Sequence, residues 1–346
     1  MTNTKKLAFA SDYQQGAHPD ILKRLSEINL QPHAGYGTDE ISASAREKIR
    51  AACAAPEADV FFLAGGTQTN ALIIGACLQS YQGVLAAETG HVSLHEAGAV
   101  ELGGHKVMTL PQQEGKLSAE TVRGAFRTFA EDENRDHMVM PGMVYLSQPT
   151  EYGTLYSLKE LEEISRVTHA AGALLYVDGA RLAYALGCPA NDVTLADLAR
   201  LCDAFYIGGT KCGALFGEAV VFPKKDTVPH FFTIIKQHGA LLAKGFVTGL
   251  QFDVLFTDGL YEFCGRHAIA VADRIRDALS EKGYAFAIDS PTNQLFLLLD
   301  RAQEARLTEK IEMSFWERPD EDHVVMRIAT CWATTEEEAD ALIALL

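Results

Sequence analysis

The stretch ALLYVDGAR, residues 173–181, joins an uninterrupted apolar run to a carboxylate and an arginine. An apolar run without alternating polar residues is typical of a strand buried on both faces of a parallel sheet. Ligands of open α/β sheets bind beyond the carboxyl ends of the strands, so this pattern predicts that Asp178 lies near a binding site. Considered alone, Asp178 is more simply explained as the N-cap of the next helix, with Arg181 as its ion-pair partner.

Similar apolar runs on both sides of this stretch predict a series of strands. Together with residues 173–177, they are 59–63, 83–87, 106–110, 143–147, 204–207 and 218–222. Helix-like segments lie between several of them, and this alternation predicts an α/β fold with a large, mostly parallel seven-stranded sheet. The last two runs are too close in sequence for a crossover helix, so we predict that they form antiparallel neighbours.

The pattern changes near residue 250. A long helical stretch over residues 250–282 is followed by apolar runs at 294–299 and 324–329 and by an acidic helix near Thr335. This order of helix, two strands and helix predicts a separate α+β unit. We therefore expect a large domain over residues 1–250, including the N-terminal segment, and a small C-terminal domain over residues 251–346.

The composition is that of a soluble globular protein and excludes several classes of function. Of 346 residues, 48% are hydrophobic and 22% are charged, and the net charge is −16. So acidic a chain is poorly suited to nucleic acid or anionic membranes, and no run approaches the roughly 18 apolar residues of a membrane span. The first six residues lack the apolar segment of a secretion leader. The cysteines are scattered without a CxxC pair, so we expect a cytoplasmic protein with free thiols and no metal site.

Two glycine-rich segments contain candidate site residues. Gly66 and Thr67 follow a predicted strand and open a helix, where backbone N–H groups can bind phosphate; a tight turn with Thr67 as N-cap is an equally good interpretation. Lys211 lies in GGTKCG, residues 208–213, between the last two predicted strands. Most lysines are surface residues, but the apolar flanks favour burial here. Burial would favour the neutral, nucleophilic amine that forms Schiff bases.

Together these residues indicate pyridoxal 5′-phosphate (PLP) as the cofactor. PLP needs a phosphate pocket, a carboxylate for its pyridinium nitrogen and a lysine for its aldehyde. The phosphate pocket would be formed by Gly66 and Thr67. The carboxylate would be that of Asp178, and the lysine would be Lys211. His91 follows the second predicted strand and is a candidate for stacking on the ring, with a hydrogen-bonded core histidine as the alternative.

The order of these motifs resembles the threonine aldolase family, whose members are fold-type-I PLP enzymes grouped with the β-eliminating lyases. The resemblance covers about residues 8–335. It rests on Ser11-Asp12, Tyr36-Gly37, Gly66-Thr67 with Asn70, His91, Glu96-Ala97-Gly98, Asp178-Gly179-Ala180-Arg181, Lys211 and Arg327. The resemblance implies the fold-type-I architecture. It also implies cleavage of a β-hydroxy-α-amino acid, such as L-threonine, L-allo-threonine or phenylserine, to glycine and an aldehyde.

The resemblance further implies which residues bind the cofactor. Lys211 would bind the PLP aldehyde as a Schiff base, and Asp178 would keep the pyridine nitrogen protonated. His91 would stack on the ring and, like Lys211, take part in catalysis. Gly66 and Thr67 would bind the phosphate.

The resemblance also implies a set of substrate-binding residues. Ser11, Arg181 and Arg327 would receive the carboxylate of the amino acid. Tyr36 would reach the site of a neighbouring subunit, in a homodimer or homotetramer with shared active sites. Without the resemblance, Arg327 is better explained as a surface arginine on a strand edge.

One departure from the family bears on the reaction. Many members read Glu-Asn-Thr-His where this chain has SQPT, residues 147–150, so Thr150 replaces a histidine that is a candidate for handling the β-hydroxyl proton. His91, His95 or a bound water would then take this role, or the preferred substrate would differ. A β-eliminating lyase, a transaminase or a desulfurase is the alternative enzyme, and a non-catalytic scaffold with the same fold is a more remote alternative.

Overall fold

The computed structural model describes residues 6–346, which form thirteen strands and fourteen α-helices. The strands are β1 (Leu7–Ala8), β2 (Asp59–Leu63), β3 (Gln82–Ala87), β4 (Val107–Leu110), β5 (Met140–Ser147), β6 (Leu174–Asp178), β7 (Ala204–Gly208), β8 (Glu218–Phe222), β9 (Ala285–Ile288), β10 (Gln294–Asp300), β11 (Ile311–Glu312), β12 (Ser314–Glu317) and β13 (His323–Ala329). The helices are α1 (Pro19–Ile28), α2 (Glu40–Ala52), α3 (Gly66–Cys77), α4 (His91–Leu94), α5 (Ala99–Leu102), α6 (Ala119–Glu131), α7 (Leu158–Ala170), α8 (Leu182–Gly187), α9 (Leu195–Leu201), α10 (Phe231–Gln237), α11 (Phe246–Leu255), α12 (Leu260–Glu281), α13 (Arg301–Lys310) and α14 (Glu336–Ile343).

Seven strands form the large sheet in the order β2-β8-β7-β6-β5-β3-β4. The neighbouring pairs β4-β3, β3-β5, β5-β6 and β6-β7 are parallel. In contrast, β8 is antiparallel to both β7 and β2. The predicted seven-stranded, mostly parallel sheet is therefore confirmed, together with the antiparallel pairing of the last two runs. These strands are almost uninterruptedly apolar because separate buried clusters cover the two faces of the sheet.

The topology brings the strand ends that precede the cavity-lining loops to one edge of the large sheet. β2 runs in the same direction as β7, since both are antiparallel to β8. The carboxyl ends of β2, β3, β5, β6 and β7 therefore lie at the same edge as the amino end of β8. Loops that are remote in sequence lie side by side there, at the position where open α/β sheets bind their ligands.

The single long helix predicted over residues 250–282 is wrong, because two helices cover this region. α11 ends at Leu255 and α12 begins at Leu260. Between them, Asp258 and Gly259 have φ angles of 51° and 72°. Both residues tolerate this left-handed conformation better than most, and an α-helix cannot continue through it. The Asp-Gly pair is therefore the local signal that separates the two helices.

The C-terminal region contains a four-stranded antiparallel sheet in the order β12-β13-β10-β9. Its central pair, β10 and β13, corresponds to the two strands that the apolar runs predicted. The sequence pattern missed the two outer strands, β9 and β12, because their residues alternate between exposed and half-buried positions. The pattern also missed α13, in which Leu307 is the buried residue.

The N-terminal strand lies against the C-terminal region. Leu7 and Ala8 of β1 pair in parallel with Ile311 and Glu312 of β11, and Phe9 packs in the apolar cluster around the small sheet. The first half of α12 packs in the other direction, into the cluster of the large sheet. The division of the chain near residue 250 stays a prediction.

The described part of the chain contains no helix that is long and apolar enough to cross a membrane. The seven cysteines all lie in this part, and each is a free thiol. The expectation that the chain has no secretion leader rests on its first residues, and residues 1–5 lie outside the described part.

Two helices, α8 and α12, approach so closely that only glycine fits between them. A Cβ atom on Gly265 of α12 would lie 1.9 Å from the carbonyl oxygen of Ala183 in α8. We expect Gly265→Ala to lower the free energy of unfolding by about 1–3 kcal/mol or more, because the backbone must move. The control is Gly124→Ala in α6, where no atom lies within 4 Å of the new Cβ; alanine should raise stability there by about 0.5–1 kcal/mol. Urea denaturation measures both changes, and a Gly265→Ala protein as stable as wild type would contradict this packing.

Candidate active site

Two adjoining cavities open at the edge of the large sheet where the strand ends meet. The inner cavity has a volume of about 300 Å³ and is lined by the loops that follow β2, β3, β5, β6 and β7. The outer cavity has a volume of about 500 Å³ and is lined by the segment after β3 and by β12 and β13 of the small sheet. The residues that line both cavities are Tyr13, His91, Glu151, Arg181 and Lys211. These side chains therefore lie at the junction of the cavities.

The inner cavity reaches the N-terminus of α3. Gly65 is the N-cap of this helix, and no side chain caps the helix start. Gly66 and Thr67 are its first two residues and line the cavity, so the interpretation of Thr67 as an N-cap is wrong. A helix start without a side-chain cap offers free N–H groups and a favourable dipole, both of which suit a phosphate.

Asp178 is buried at the end of β6 and lines the inner cavity. Its Oδ2 accepts hydrogen bonds from the Tyr145 hydroxyl at 2.6 Å and from the Asn70 amide at 3.0 Å. Burial opposes ionisation, but the charge of His91 and these hydrogen bonds outweigh it and lower the pKa of Asp178. The side chain is therefore an anion at neutral pH. It is not the N-cap of α8, because Arg181 occupies that position.

A hydrogen-bonded network joins Asp178 to His91. Asn70 also donates to Glu96 Oε1 at 2.6 Å, and the same oxygen lies 2.8 Å from Nδ1 of His91. The Tyr176 hydroxyl donates to Asn70 Oδ1 at 2.6 Å and so fixes the orientation of this amide. The side chain of His91 is 33% exposed and lines both cavities. The interpretation of His91 as a core histidine is therefore wrong.

Lys211 follows β7 in the loop that leads to β8 and lies where the two cavities meet. The Tyr184 hydroxyl donates a hydrogen bond to the Lys211 carbonyl, and Lys211 Nζ lies 5.9 Å from the centre of the Tyr13 ring. Burial and the nearby charge of Arg181 lower the pKa of Lys211. The interpretation as an ordinary surface lysine is therefore wrong. The lowered pKa increases the fraction of the neutral amine, which is the nucleophilic form.

Glu218, at the start of β8, is a site residue that the sequence analysis missed. It is buried, and it lines the inner cavity. Its Oε2 accepts a hydrogen bond from the Gly209 N–H at 3.0 Å, and its Oε1 accepts one from the Thr210 hydroxyl at 2.7 Å. Burial raises the pKa of Glu218 to about 8. Glu218 therefore holds Gly209 and Thr210, the two residues that precede Lys211. No local sequence pattern distinguishes Glu218 from other glutamates at strand ends.

Arg327 lies on β13, an inner strand of the small sheet, and lines the outer cavity. Its side chain is buried, so the interpretation as a surface arginine on a strand edge is wrong. Nη1 donates to Gln294 Oε1 at 2.9 Å, and Nη2 donates to the Ala10 carbonyl at 3.0 Å. The centre of the Trp316 ring lies 5.6 Å from the guanidinium carbon. These contacts hold a cation in a fixed position beside the outer cavity.

Ser11 and Arg181, which were also predicted to bind the substrate carboxylate, are not placed like Arg327. Arg181 lines both cavities, but its Nε and Nη2 donate to the Asp12 carboxylate at 2.6 and 3.0 Å. Burial opposes ionisation of Asp12, but the charges of Arg181 and Lys211 lower its pKa. Ser11 lines neither cavity. Arg181 therefore has a carboxylate partner from within the chain, and the role of Ser11 in binding the substrate carboxylate stays a prediction.

Tyr36 lies away from both cavities. It is 43% exposed, its φ is 62°, and Lys236 Nζ lies 4.5 Å from the centre of its ring. Within its own chain Tyr36 therefore does not join the site residues. Its role in the site of a neighbouring subunit stays a prediction.

The segment after β5 contains Thr150 and a second site residue that the sequence analysis missed. Thr150 is buried, and its hydroxyl oxygen lies 2.6 Å from that of Thr154. The next residue, Glu151, is buried and lines both cavities. His95 lines only the outer cavity, and burial followed by the charge of His91 lowers its pKa. The sequence signal for Glu151 was its position just beyond the end of a buried strand.

Comparisons with known proteins are consistent with this arrangement. The family model of the β-eliminating lyases matches residues 8–311. The low specificity L-threonine aldolase of Pseudomonas aeruginosa is 36% identical over 242 residues, which cover 68% of this chain and 67% of that protein. The low specificity L-threonine aldolase of Pseudomonas sp. (strain NCIMB 10558) is 31% identical over 296 residues, which cover 84% of this chain and 83% of that protein.

Solved structures show the same architecture. A threonine aldolase from Leishmania major is 42% identical, covers 98% of each chain and superposes with a TM-score of 0.94. An aspartate aminotransferase from Thermus thermophilus superposes with a TM-score of 0.74 and covers 99% of this chain and 91% of that one. The aminotransferase is 15% identical, so this second similarity concerns the fold alone. The large and small sheets thus have the fold-type-I arrangement.

Proposed function

The chain belongs to the β-eliminating lyase family, and from this premise we propose that it is a PLP-dependent aldolase. It cleaves a β-hydroxy-α-amino acid, such as L-threonine or L-allo-threonine, to glycine and an aldehyde, and phenylserine is a further candidate substrate. The observation that carries this proposal is the convergence of Lys211, Asp178, the open end of α3 and Arg327 on two adjoining cavities. The L-threonine aldolases that match most of the chain support the same reaction.

The residues of the inner cavity fit PLP. The start of α3 at Gly66 and Thr67, without a side-chain cap, suits the phosphate, and the anionic side chain of Asp178 suits a protonated pyridine nitrogen. Lys211 has the lowered pKa that reaction with the aldehyde requires. When bound, PLP supplies an electron sink for the electron pair that bond cleavage leaves on Cα.

The protein contributes charge and orientation to this site. Because its pKa is lowered, Asp178 stays an anion through the neutral range and would keep the pyridine nitrogen of bound PLP protonated. The buried carboxylate of Glu96 binds Nδ1 of His91 and so fixes the direction in which this ring faces the cavity. The neutral amine of Lys211 is free to accept and return protons once substrate is bound.

The outer cavity provides for the amino-acid substrate. Arg327 is the cation that binds the substrate carboxylate, since its contacts with Gln294 and Ala10 hold the guanidinium in place. A guanidinium that binds a carboxylate through two hydrogen bonds fixes its orientation as well as its position. Orientation matters here because the breaking Cα–Cβ bond must stand perpendicular to the cofactor ring. Arg181 adds positive charge nearby and keeps Asp12 as its partner.

We further propose that the protein is a homodimer or homotetramer with shared active sites and that it acts in the cytoplasm. The exposed ring of Tyr36, away from the cavities of its own chain, supports a contact with a neighbouring subunit. The free thiols of all seven cysteines support a reducing compartment.

Product analysis tests the proposed reaction. We expect the PLP-loaded protein to convert L-threonine, L-allo-threonine or phenylserine to equal amounts of glycine and the matching aldehyde. Serine belongs in the same panel, and the protein without PLP is the control. Formation of a 2-oxo acid and ammonia without glycine would identify a β-eliminating reaction and contradict the proposal, as would transfer of the amino group to an added 2-oxo acid.

A further inference from the structure

We infer that Glu151 is the group that takes the proton from the β-hydroxyl of the substrate. This inference rests on the proposed aldolase function. The reaction needs a base near the β-carbon, and Thr150 cannot provide it because a hydroxyl is not basic at neutral pH. Glu151 is a buried carboxylate at the junction between the cavity that fits PLP and the cavity that contains Arg327. We place the β-carbon of the substrate at this junction, since its carboxylate would bind Arg327 in one cavity and its α-carbon would meet the cofactor in the other.

One oxygen of Glu151 is fixed by the protein. Oε1 accepts hydrogen bonds from the Ser147 hydroxyl at 2.7 Å and from the His91 backbone N–H at 2.9 Å. Within residues 6–346, no other residue donates a hydrogen bond to Oε2. The carboxylate is thus anchored through one oxygen, and the other is available to a ligand. This arrangement suits a general base, which must be positioned and must keep a free lone pair.

Glu151 is also linked to the residue that binds the substrate carboxylate. Nε2 of Gln294 donates to the Glu151 carbonyl at 3.4 Å, and Oε1 of Gln294 accepts from Nη1 of Arg327 at 2.9 Å. A single side chain therefore relates the position of Glu151 to that of Arg327. The separation between the carboxylate site and the base is set by the protein and does not depend on the substrate.

The other candidates for the base are less well placed. The hydroxyl of Thr150 is paired with Thr154. Nδ1 of His91 is held by Glu96, and the family resemblance assigns this ring to stacking on the cofactor, which is a different role from that of the base. His95 is exposed, and within residues 6–346 its side chain makes no hydrogen bond. Its ring centre lies 5.7 Å from that of His91 and 6.4 Å from that of Trp316. No hydrogen bond within the described chain therefore positions His95 in the way that two hydrogen bonds position Glu151.

The proton transfer is balanced within the cleavage reaction. The O–H bond of the β-hydroxyl breaks as Glu151 takes the proton, and the electron pair of that bond becomes the second bond of the aldehyde C=O. The Cα–Cβ bond breaks, and its electron pair stays with Cα. Cα then takes up one proton to give glycine, and Glu151 releases its proton to solvent. The step requires neither an oxidant nor a reductant.

The surroundings of Glu151 predict a pH dependence. Burial, and in addition the negative charge of Asp178, raise the pKa of Glu151. Because a base acts in its deprotonated form, kcat/KM for cleavage should rise as the pH increases through this pKa. The other titratable and charged groups near Glu151 on the surrounding elements are Tyr13, His91, His95, Glu96, Tyr145, Tyr152, Tyr156, Asp178, Arg181, Lys211, Glu218, Glu317 and Arg327.

The test compares two reactions of Glu151→Gln. Cleavage of L-threonine requires the base, whereas exchange of the glycine α-hydrogen with D₂O, followed by NMR, requires the cofactor site but involves no β-hydroxyl. We expect kcat for cleavage to fall by about 10²–10⁴-fold, while glycine exchange and the dissociation constant of PLP stay at wild-type values. The decrease of kcat/KM for cleavage toward low pH, the low-pH limb of the pH profile, should also disappear. Glu151→Asp, which keeps the carboxylate, should recover part of the activity.

Two further variants complete the experiment. Glu281→Gln removes an exposed carboxylate at the end of α12, outside the lining of both cavities, and should leave both reactions unchanged. His95→Asn tests the rival base. Loss of the low-pH limb in His95→Asn but not in Glu151→Gln would overturn the inference, and so would a parallel loss of glycine exchange or PLP binding in Glu151→Gln. A wild-type protein that forms no glycine from threonine would instead refute the aldolase function on which the inference rests.

Discussion

Replacing Lys211 by alanine is expected to lower kcat/KM for L-threonine cleavage by at least about 10³-fold, because both the nucleophile and a proton-transferring amine are lost. Lys211 is positioned for both roles at the junction of the two cavities, and burial and the charge of Arg181 lower its pKa. Among residues 6–346, no other lysine lines either cavity. A neighbouring amine within the described chain therefore cannot replace it.

Two measurements distinguish this loss from unfolding. Purified wild type mixed with PLP should show the visible absorption of lysine-bound PLP, and borohydride reduction should add the cofactor mass to the peptide that contains Lys211. Lys211→Ala should lack both signals and keep the wild-type thermal unfolding transition. Lys159→Ala, on an exposed position of α7, is the matched control and should retain both signals and full activity. An active Lys211→Ala protein, or a wild type that does not bind PLP, would contradict the assignment.

Replacing Asp178 by asparagine is expected to lower kcat by about 10²–10³-fold, the range seen when one electrostatic contact with the reacting system is removed. The amide has nearly the same shape as the carboxylate but carries no charge, so it cannot hold a proton on the pyridine nitrogen. The loss should be uniform from pH 6 to pH 9, since the lowered pKa of Asp178 keeps the wild-type side chain ionised throughout this range. Hydrogen bonds from Tyr145 and Asn70 can still be accepted by the amide oxygen.

Asp178→Asn should also weaken PLP binding, which equilibrium dialysis measures without reference to activity. Asp277→Asn, at an exposed position of α12, is the control and should bind PLP as wild type does. Full activity and unchanged PLP affinity in Asp178→Asn would show that this carboxylate is a structural acceptor for Tyr145 and Asn70 only.

Much of the fold and of the cofactor site could be predicted from local sequence. The seven apolar runs each became a strand within a few residues of the predicted bounds, because a strand buried on both faces must be apolar throughout. Gly66, Thr67, Asp178 and Lys211 each follow such a run. Parallel strands bring their carboxyl ends to one edge, so predicting the strands already places these residues together.

The substrate side of the site was harder to predict. Arg327 was not distinguishable from a surface arginine, because its burial depends on the pairing of β13 between β12 and β10. Glu151 and Glu218 lack any motif of their own, and their burial and raised pKa values come from neighbours on other strands. The long helix predicted over residues 250–282 failed for a local reason, since two successive left-handed residues interrupt it.

The amino-acid sequence by itself therefore determined the strands and the order of the residues that we propose bind the cofactor, because both depend on short apolar runs and on the ends of strands. Tertiary structure alone decided which charged groups already have partners. Asp12 binds Arg181 from 169 residues away, while Arg327 and Glu151 are joined through Gln294. Such pairs depend on where the small sheet and the N-terminal segment pack against the large sheet, and no local pattern records those contacts. The net charge of −16 belongs to the whole chain, whereas the pairing of individual charges decides which anions this site can bind.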